Sequence, residues 1–238
     1  MNNFLLRKIC SSAQRITLSL FSNWKIYGSE NIPSTGPVIL ISNHISNLDP
    51  SIISASMARP IWFLAKSSLF KNPIARLFLN LYGAYPINRP TSDTTAIQWI
   101  LNKLEDNQAV VIFPEGKRNF NGLQKADDSF AKLAIKSNTY ILPIGITGTE
   151  HMQYVTRVFN PTGRITINIG KPFKIIDINE KPTKEHIKSI NESIMMEIAE
   201  LLPPKYQGIY KNKLYKDESL KQKTFQYYPK DTEELCVE

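Results

Sequence analysis

Placed at 100° per residue, Leu5, Leu6, Ile9, Ala13, Ile16, Leu20 and Trp24 gather in one sector about 100° wide, with Arg7, Lys8, Ser11 and Arg15 outside it. The spacing predicts an amphipathic helix over residues 1–23. Two uses fit such a stripe: packing on the protein's own core, or lying in a lipid headgroup layer, which the purely basic charge and the off-stripe Phe4, Leu18 and Phe21 suit. From Gly36 onward apolar runs of strand length alternate with stretches of helical period. Strands are predicted at 37–42, 61–65, 84–87, 109–113, 140–147 and 164–169, and helices at 50–57, 67–81, 93–106, near 125–136, and at 183–201. Pro203-Pro204 stops the last helix, and beyond it periodicity fades into a lysine-rich, acidic, tyrosine-dotted tail.

This alternation predicts an α/β fold: a single layered domain over residues 24–202, with a largely parallel central sheet flanked by helices. The N-terminal helix precedes it, and a polar tail, solvated or strapped down, follows over 203–238. The 238 residues suffice for one sizeable core, and 42% hydrophobic with 21% charged residues excludes wholesale disorder. No apolar run approaches the ~18 residues of a spanning helix. Cys10 and Cys236, at opposite ends, support neither a disulfide framework nor a zinc site, which fits a reducing compartment. The N-terminus lacks the continuous apolar segment of an export signal.

The net charge is +8, and half of the excess sits in residues 1–27, where Arg7, Lys8, Arg15 and Lys25 meet no acid. Basic surface of this kind suits anionic lipid, nucleic acid or phosphorylated ligands. Nucleic-acid surfaces interleave bases with aromatics on one face, and the core segments here do not, so no nucleic-acid partner is expected.

Three strand ends carry the candidate chemistry. The first runs Ser42-Asn43-His44-Ile45-Ser46-Asn47-Leu48-Asp49-Pro50. Five positions turn 140° on a continuous helix, so His44 and Asp49 meet only through a loop or helix start. A histidine can then take a hydroxyl proton while the carboxylate fixes its tautomer; alternatively, Asp49 caps the helix that Pro50 opens and His44 bonds backbone. The second, Phe113-Pro114-Glu115-Gly116-Lys117-Arg118-Asn119, sets an acid and two bases after a buried strand: a phosphate grip, or a turn with a solvated ion pair. The third, Gly83-Ala84-Tyr85-Pro86-Ile87-Asn88-Arg89, says little alone.

Together with Ile141-Leu142-Pro143-Ile144, in this order and spacing, these segments resemble the glycerolipid acyltransferase family, specifically its bacterial 1-acylglycerol-3-phosphate acyltransferases, over roughly residues 24–175. The resemblance implies acyl transfer from a thioester, acyl-CoA or acyl-acyl carrier protein, to the free hydroxyl of a lysophospholipid, with no metal or organic cofactor. It implies His44 as general base, oriented by Asp49. Arg89, Glu115, Gly116 and Arg118 would organise the acceptor phosphate, Glu115 by positioning the arginines or a glycerol hydroxyl. It also turns the N-terminal helix into an expected anchor on an anionic membrane surface, peripheral on the cytoplasmic face. The family usually carries threonine or serine where Lys117 stands, a small hydroxyl residue at Asn119 and glycine at Ser129. These departures keep other acceptors open: glycerol 3-phosphate, a lyso-aminolipid or another lysophospholipid. The rival outside the enzyme class is a non-catalytic basic membrane-binding protein.

Overall fold

The computed structural model describes residues 4–87, 94–176, 182–213 and 224–228. Along the chain come α1 (Phe4–Phe21), β1 (Asn23–Tyr27), β2 (Val38–Ser42), α2 (Asp49–Ser56), β3 (Ile61–Lys66), α3 (Pro73–Leu81), β4 (Ala84–Ile87) and α4 (Thr94–Glu105). They are followed by β5 (Ala109–Ile112), α5 (Asp128–Ser137), β6 (Tyr140–Thr147), β7 (Arg164–Ile169), β8 (Phe173–Ile175), α6 (Lys184–Glu200) and β9 (Phe225–Tyr227).

The sheet runs β1-β7-β6-β2-β5-β3-β4, with β8 pairing β6 and β9 pairing β8. The five strands from β6 to β4 are mutually parallel, joined through Val38↔Ala109, Val38↔Tyr140, Ile61↔Ala109 and Phe63↔Ala84. β7 turns antiparallel against β6, and β1 runs parallel to β7. β2 lies at the centre with all five residues buried, which is why its sequence is an unbroken Val-Ile-Leu-Ile run. Successive side chains serve opposite layers: Ile39 and Ile41 pack with α4, α5 and α6, whereas Val38 and Leu40 pack with α2 and α3. The domain is therefore a three-layer α/β sandwich whose parallel strands deliver their C-terminal ends to one edge.

The predicted helix over 67–81 is two elements. A 3₁₀ segment covers Ser67–Lys71, and α3 starts afresh after Asn72, whose Oδ1 accepts from the amides of Ile74 and Ala75 at 3.0 and 3.1 Å. Pro73 at the first helical position cannot continue the preceding turn but can open a new helix. β1, β8 and β9 were not legible in the periodicity, being only three to five residues long.

The N-terminal helix docks with its polar side. Arg7, Ser11, Gln14 and Leu18 form a continuous i, i+3/i+4 line; Gln14 and Leu18 are fully buried, and Ser11 meets Ser54 of α2 at 3.0 Å. The Arg15 guanidinium donates to the carbonyls of Ala55 and Met57, satisfying the end of α2. Leu18, placed on the exposed side by the sequence pattern, is thus core, while Ile9, Ile16 and Leu20 of the apolar stripe remain 54%, 60% and 70% exposed. The small side chains of Ser11 and Ser54 permit the close approach that selects this face.

The tail is strapped down in two pieces. A 3₁₀ turn at Gly208–Tyr210 buries Tyr210 in the α4–α5–α6 layer, and Phe225 is buried beside Phe173 as β9 extends the sheet. Its aromatic residues, rather than any periodicity, mark these contacts.

Candidate active site

β2 releases the chain at Ser42, and the next seven residues are fixed almost atom by atom. The Asn43 side chain substitutes for a strand neighbour: its Nδ2 donates to the Ile146 carbonyl of β6 and its Oδ1 accepts from the Ile146 amide, both at 2.8 Å. The loop then curls so that Asp49, the first residue of α2, looks back at His44. His44 Nδ1 lies 2.9 Å from Asp49 Oδ2. The same oxygen accepts from the amides of Ile45 and Ser46 at 2.7 Å each, and Thr149 donates its hydroxyl to Oδ1 at 2.6 Å. Asp49 is completely buried and His44 only 18% exposed. Asp49 thus organises a loop as well as an imidazole, and Leu48, not Asp49, is the N-cap of α2.

The ring plane of His44 is set by Phe113, stacked on it at 4.0 Å with a 20° tilt. Nδ1 is committed to the carboxylate, so Nε2 is the nitrogen left to take a proton. His44 borders a cavity of about 370 Å³. Phe63, Leu64, Leu69, Leu79 and Val111 give it an apolar wall, while Asn47, Lys66, Lys117 and Arg118 supply polar and cationic groups. That composition suits a ligand with a hydrocarbon part and an anionic head.

Of the remaining site candidates, Gly116 lies on the cavity wall in a left-handed turn, φ 66°. Arg118 also lines it, one Nη donating to Gln153 Oε1 at 2.7 Å. Glu115 does not face the cavity. It is 8% exposed, and its Oε1 accepts from the Asn119 side-chain amide at 2.7 Å and the Gln124 backbone amide at 2.8 Å. The expectation was a carboxylate that organises the acceptor phosphate by positioning the arginines or a glycerol hydroxyl; in the structure Glu115 is the hub that folds the loop bearing Arg118, because a buried carboxylate must be met by donors. Arg89 lies outside the described residues.

Thr149, Gln153 and Asn119 were missed as site residues. Gln153 accepts from Asn47 at 2.5 Å, donates to the Ile45 carbonyl at 3.0 Å and carries Arg118, while the Asn119 amide donates to the His44 carbonyl at 2.8 Å. The available signal was position: Thr149 and Gln153 follow the C-terminal end of β6, at the edge where ligands gather in such sheets.

Among the described residues the His44 side chain bonds to Asp49 and to no serine or cysteine. A histidine–carboxylate pair beside a cavity lined by apolar and cationic side chains, at the strand ends of an α/β sheet, is an arrangement suited to acid–base chemistry on a ligand with an apolar part and an anionic head. A family model described as Acyltransferase matches residues 23–147, and the chain belongs to that family. It is 30% identical over 168 residues to the 1-acyl-sn-glycerol-3-phosphate acyltransferase of Borreliella burgdorferi, covering 69% of this chain and 67% of that protein. It is 24% identical over 195 residues to the enzyme of the same name from Bacillus subtilis, covering 82% and 96%. The crystal structure of the 1-acyl-sn-glycerophosphate acyltransferase from Thermotoga maritima shares the fold, with a TM-score of 0.63 at 24% identity over 83% of this chain and 78% of that one.

Burial pushes the Glu115 carboxyl up from 4.5 to about 7, against the pull of the donors from Gln124, Asn119 and His44 and of the Lys117 charge. With the folded value above the unfolded one, the cost to the fold is fully present above pH 7 and is relieved as pH falls toward 4.5. Relative to Glu115→Gln, the wild type should therefore gain about 2.5 kcal/mol between pH 8 and pH 5, read from paired urea unfolding curves. Parallel pH profiles for the two proteins would show that Glu115 titrates normally.

Proposed function

We propose that this acyltransferase moves a fatty acyl group from a thioester to the free hydroxyl of 1-acylglycerol 3-phosphate, giving phosphatidic acid. The observation that carries the reading is the 2.9 Å His44–Asp49 pair at a cavity lined both by apolar side chains and by Lys66, Lys117 and Arg118. The names borne by the relatives from Borreliella burgdorferi and Bacillus subtilis support the same acceptor.

In the reaction the acceptor oxygen attacks the thioester carbonyl carbon as its proton passes to Nε2 of His44. The resulting tetrahedral centre collapses by breaking the C–S bond, and the imidazolium returns the proton to the leaving thiolate. The products are an ester and a free thiol, with His44 regenerated. Asp49 stays in place, holding the tautomer and balancing the transient positive charge. The acceptor is itself the nucleophile, so no acyl-enzyme forms. Arg118 and Lys117 offer the phosphate its counter-charge, Gly116 lets backbone approach it, and Glu115 acts from behind by shaping their loop. Arg89, two residues beyond β4, belongs to the same group on sequence grounds. The chemistry asks for no metal or organic cofactor beyond the co-substrate, acyl-CoA or acyl-acyl carrier protein.

The acceptor and product are lipids, and the exposed stripe of α1 is the surface that reaches them. No helix among the described residues is long and apolar enough to cross a membrane. Because α1 is fastened to α2 by its polar side, Leu6, Ile9, Ile16 and Leu20 face outward, and Ile74 and Leu77 of neighbouring α3 are also exposed, at 75% and 61%. An apolar ridge of this kind, on a chain of net charge +8, fits peripheral binding to an anionic membrane at its cytoplasmic face.

His44→Ala should lower acceptor-dependent thiol release from a long-chain acyl-CoA on the order of 10²-fold or more while leaving the fold intact. Unchanged release would remove His44 from the reaction. For the membrane, Ile9→Ser/Ile16→Ser/Leu20→Ser should weaken partition onto phosphatidylglycerol vesicles at least about tenfold, since each side chain contributes up to ~1.5–3 kcal/mol when buried in lipid. Equal vesicle binding by the triple variant would place the docking surface elsewhere.

A further inference from the structure

The tail segment after α6 grips the site from outside. Leu123, in the loop that runs from Arg118 to α5, donates its amide to the Tyr206 carbonyl at 2.9 Å and accepts from the Ile209 amide at 3.1 Å. The contact is backbone on backbone because two glycines meet there. A Cβ on Gly122, φ 88°, would lie 2.6 Å from the Gly208 nitrogen, and a Cβ on Gly208, φ 52°, would lie 2.1 Å from the Leu123 carbonyl oxygen. Gln207 fixes the segment from behind, its Nε2 donating to the Ala199 and Leu202 carbonyls at 3.2 and 2.8 Å, and Tyr210 anchors it in the core.

From this clamp two routes lead inward. Along one, Gln124, next to Leu123, donates its amide to Glu115, which also holds Asn119, whose own amide reaches the His44 carbonyl. Along the other, the Tyr206 hydroxyl donates to the Glu150 carboxylate, with Lys205 3.6 Å from the same oxygen, and the Glu150 carbonyl accepts from Gln153 Nε2 at 2.6 Å. Gln153 in turn holds Arg118 and the Ile45 carbonyl. The two routes converge on the two groups whose separation matters for transfer: the base and a cation at the cavity.

We propose that residues 205–210 are a positioning strap, in which Tyr206 and Gly208 set the loop bearing Arg118 at a fixed distance from His44 and so hold the acceptor's anionic head in register with the base. This rests on the acyltransferase reading. Neither residue touches the cavity, so both act through others. Loosening the strap shifts the headgroup cation relative to the base, which Asp49 and its own donors hold independently, and leaves the apolar wall alone. The expected signature is therefore selective weakening of acceptor use.

The test uses the full chain with long-chain acyl-CoA and 1-acylglycerol 3-phosphate, comparing wild type, Gly208→Ala and Tyr206→Phe. The strap predicts an acceptor KM raised on the order of tenfold in Gly208→Ala and about threefold in Tyr206→Phe, with the donor KM within about twofold of wild type in both. Tyr206→Phe keeps the ring and the backbone clamp, so it decides the matter if Gly208→Ala does not fold. An unmoved acceptor KM in Tyr206→Phe and in any folded Gly208→Ala overturns the strap, as do acceptor and donor KM rising together with a loss of thermal stability. No acceptor-dependent release by wild type with either thioester donor overturns the acyltransferase reading itself, and the strap with it.

Discussion

A fully buried carboxylate is the constraint on which the site depends. Removing Asp49 from water is costly unless donors surround it, and the chain supplies them from separate places: two loop amides, a hydroxyl that follows β6, and the imidazole five residues upstream. Satisfying that one group fixes the turn after β2, the start of α2 and the azimuth of His44. The carboxylate that meets the His44 ring is also the one that folds the loop carrying it.

Glu115 repeats the logic one strand away. It too is buried, and its donors come from the loop it begins, the neighbouring Asn119 and the far end at Gln124. The two carboxylate-centred loops are then stitched together by the bond from the Asn119 amide to the His44 carbonyl. Parallel strands make this possible, since β2 and β5 are hydrogen-bonded neighbours whose C-terminal ends emerge side by side. The geometry follows from sheet order, and the chemistry from which residues stand at those ends.

Much of this was legible because the parallel core imposes simple patterns. A strand covered on both faces is largely apolar, so β2 and β5 announced themselves as short apolar runs and β6 as a longer one broken only by Pro143 and Gly145. The histidine-to-aspartate spacing, followed by Phe-Pro-Glu-Gly, marked the candidate site. What sequence could not show was direction. The stripe on α1 was plain, yet the helix turns it away from the core and packs on serines, because two small side chains allow closer contact than the stripe would. Glu115 carried a charge whose partners the sequence could not name, and only the fold shows it buried on Asn119 and Gln124. The strap was invisible for a related reason: a clamp made of backbone amides and two facing glycines leaves no side-chain pattern to read.

The central claim is that His44 and Asp49 act as one catalytic unit, and a double-mutant cycle on acceptor-dependent acyl transfer addresses it most directly. If Asp49 works through His44, the His44→Ala/Asp49→Asn protein should be no slower than His44→Ala alone, within about threefold, although each single substitution is severe. Losses that multiply, in variants whose thermal unfolding shows the loop and fold retained, would contradict the account, since Asp49 would then contribute to transfer by a route that does not pass through the imidazole.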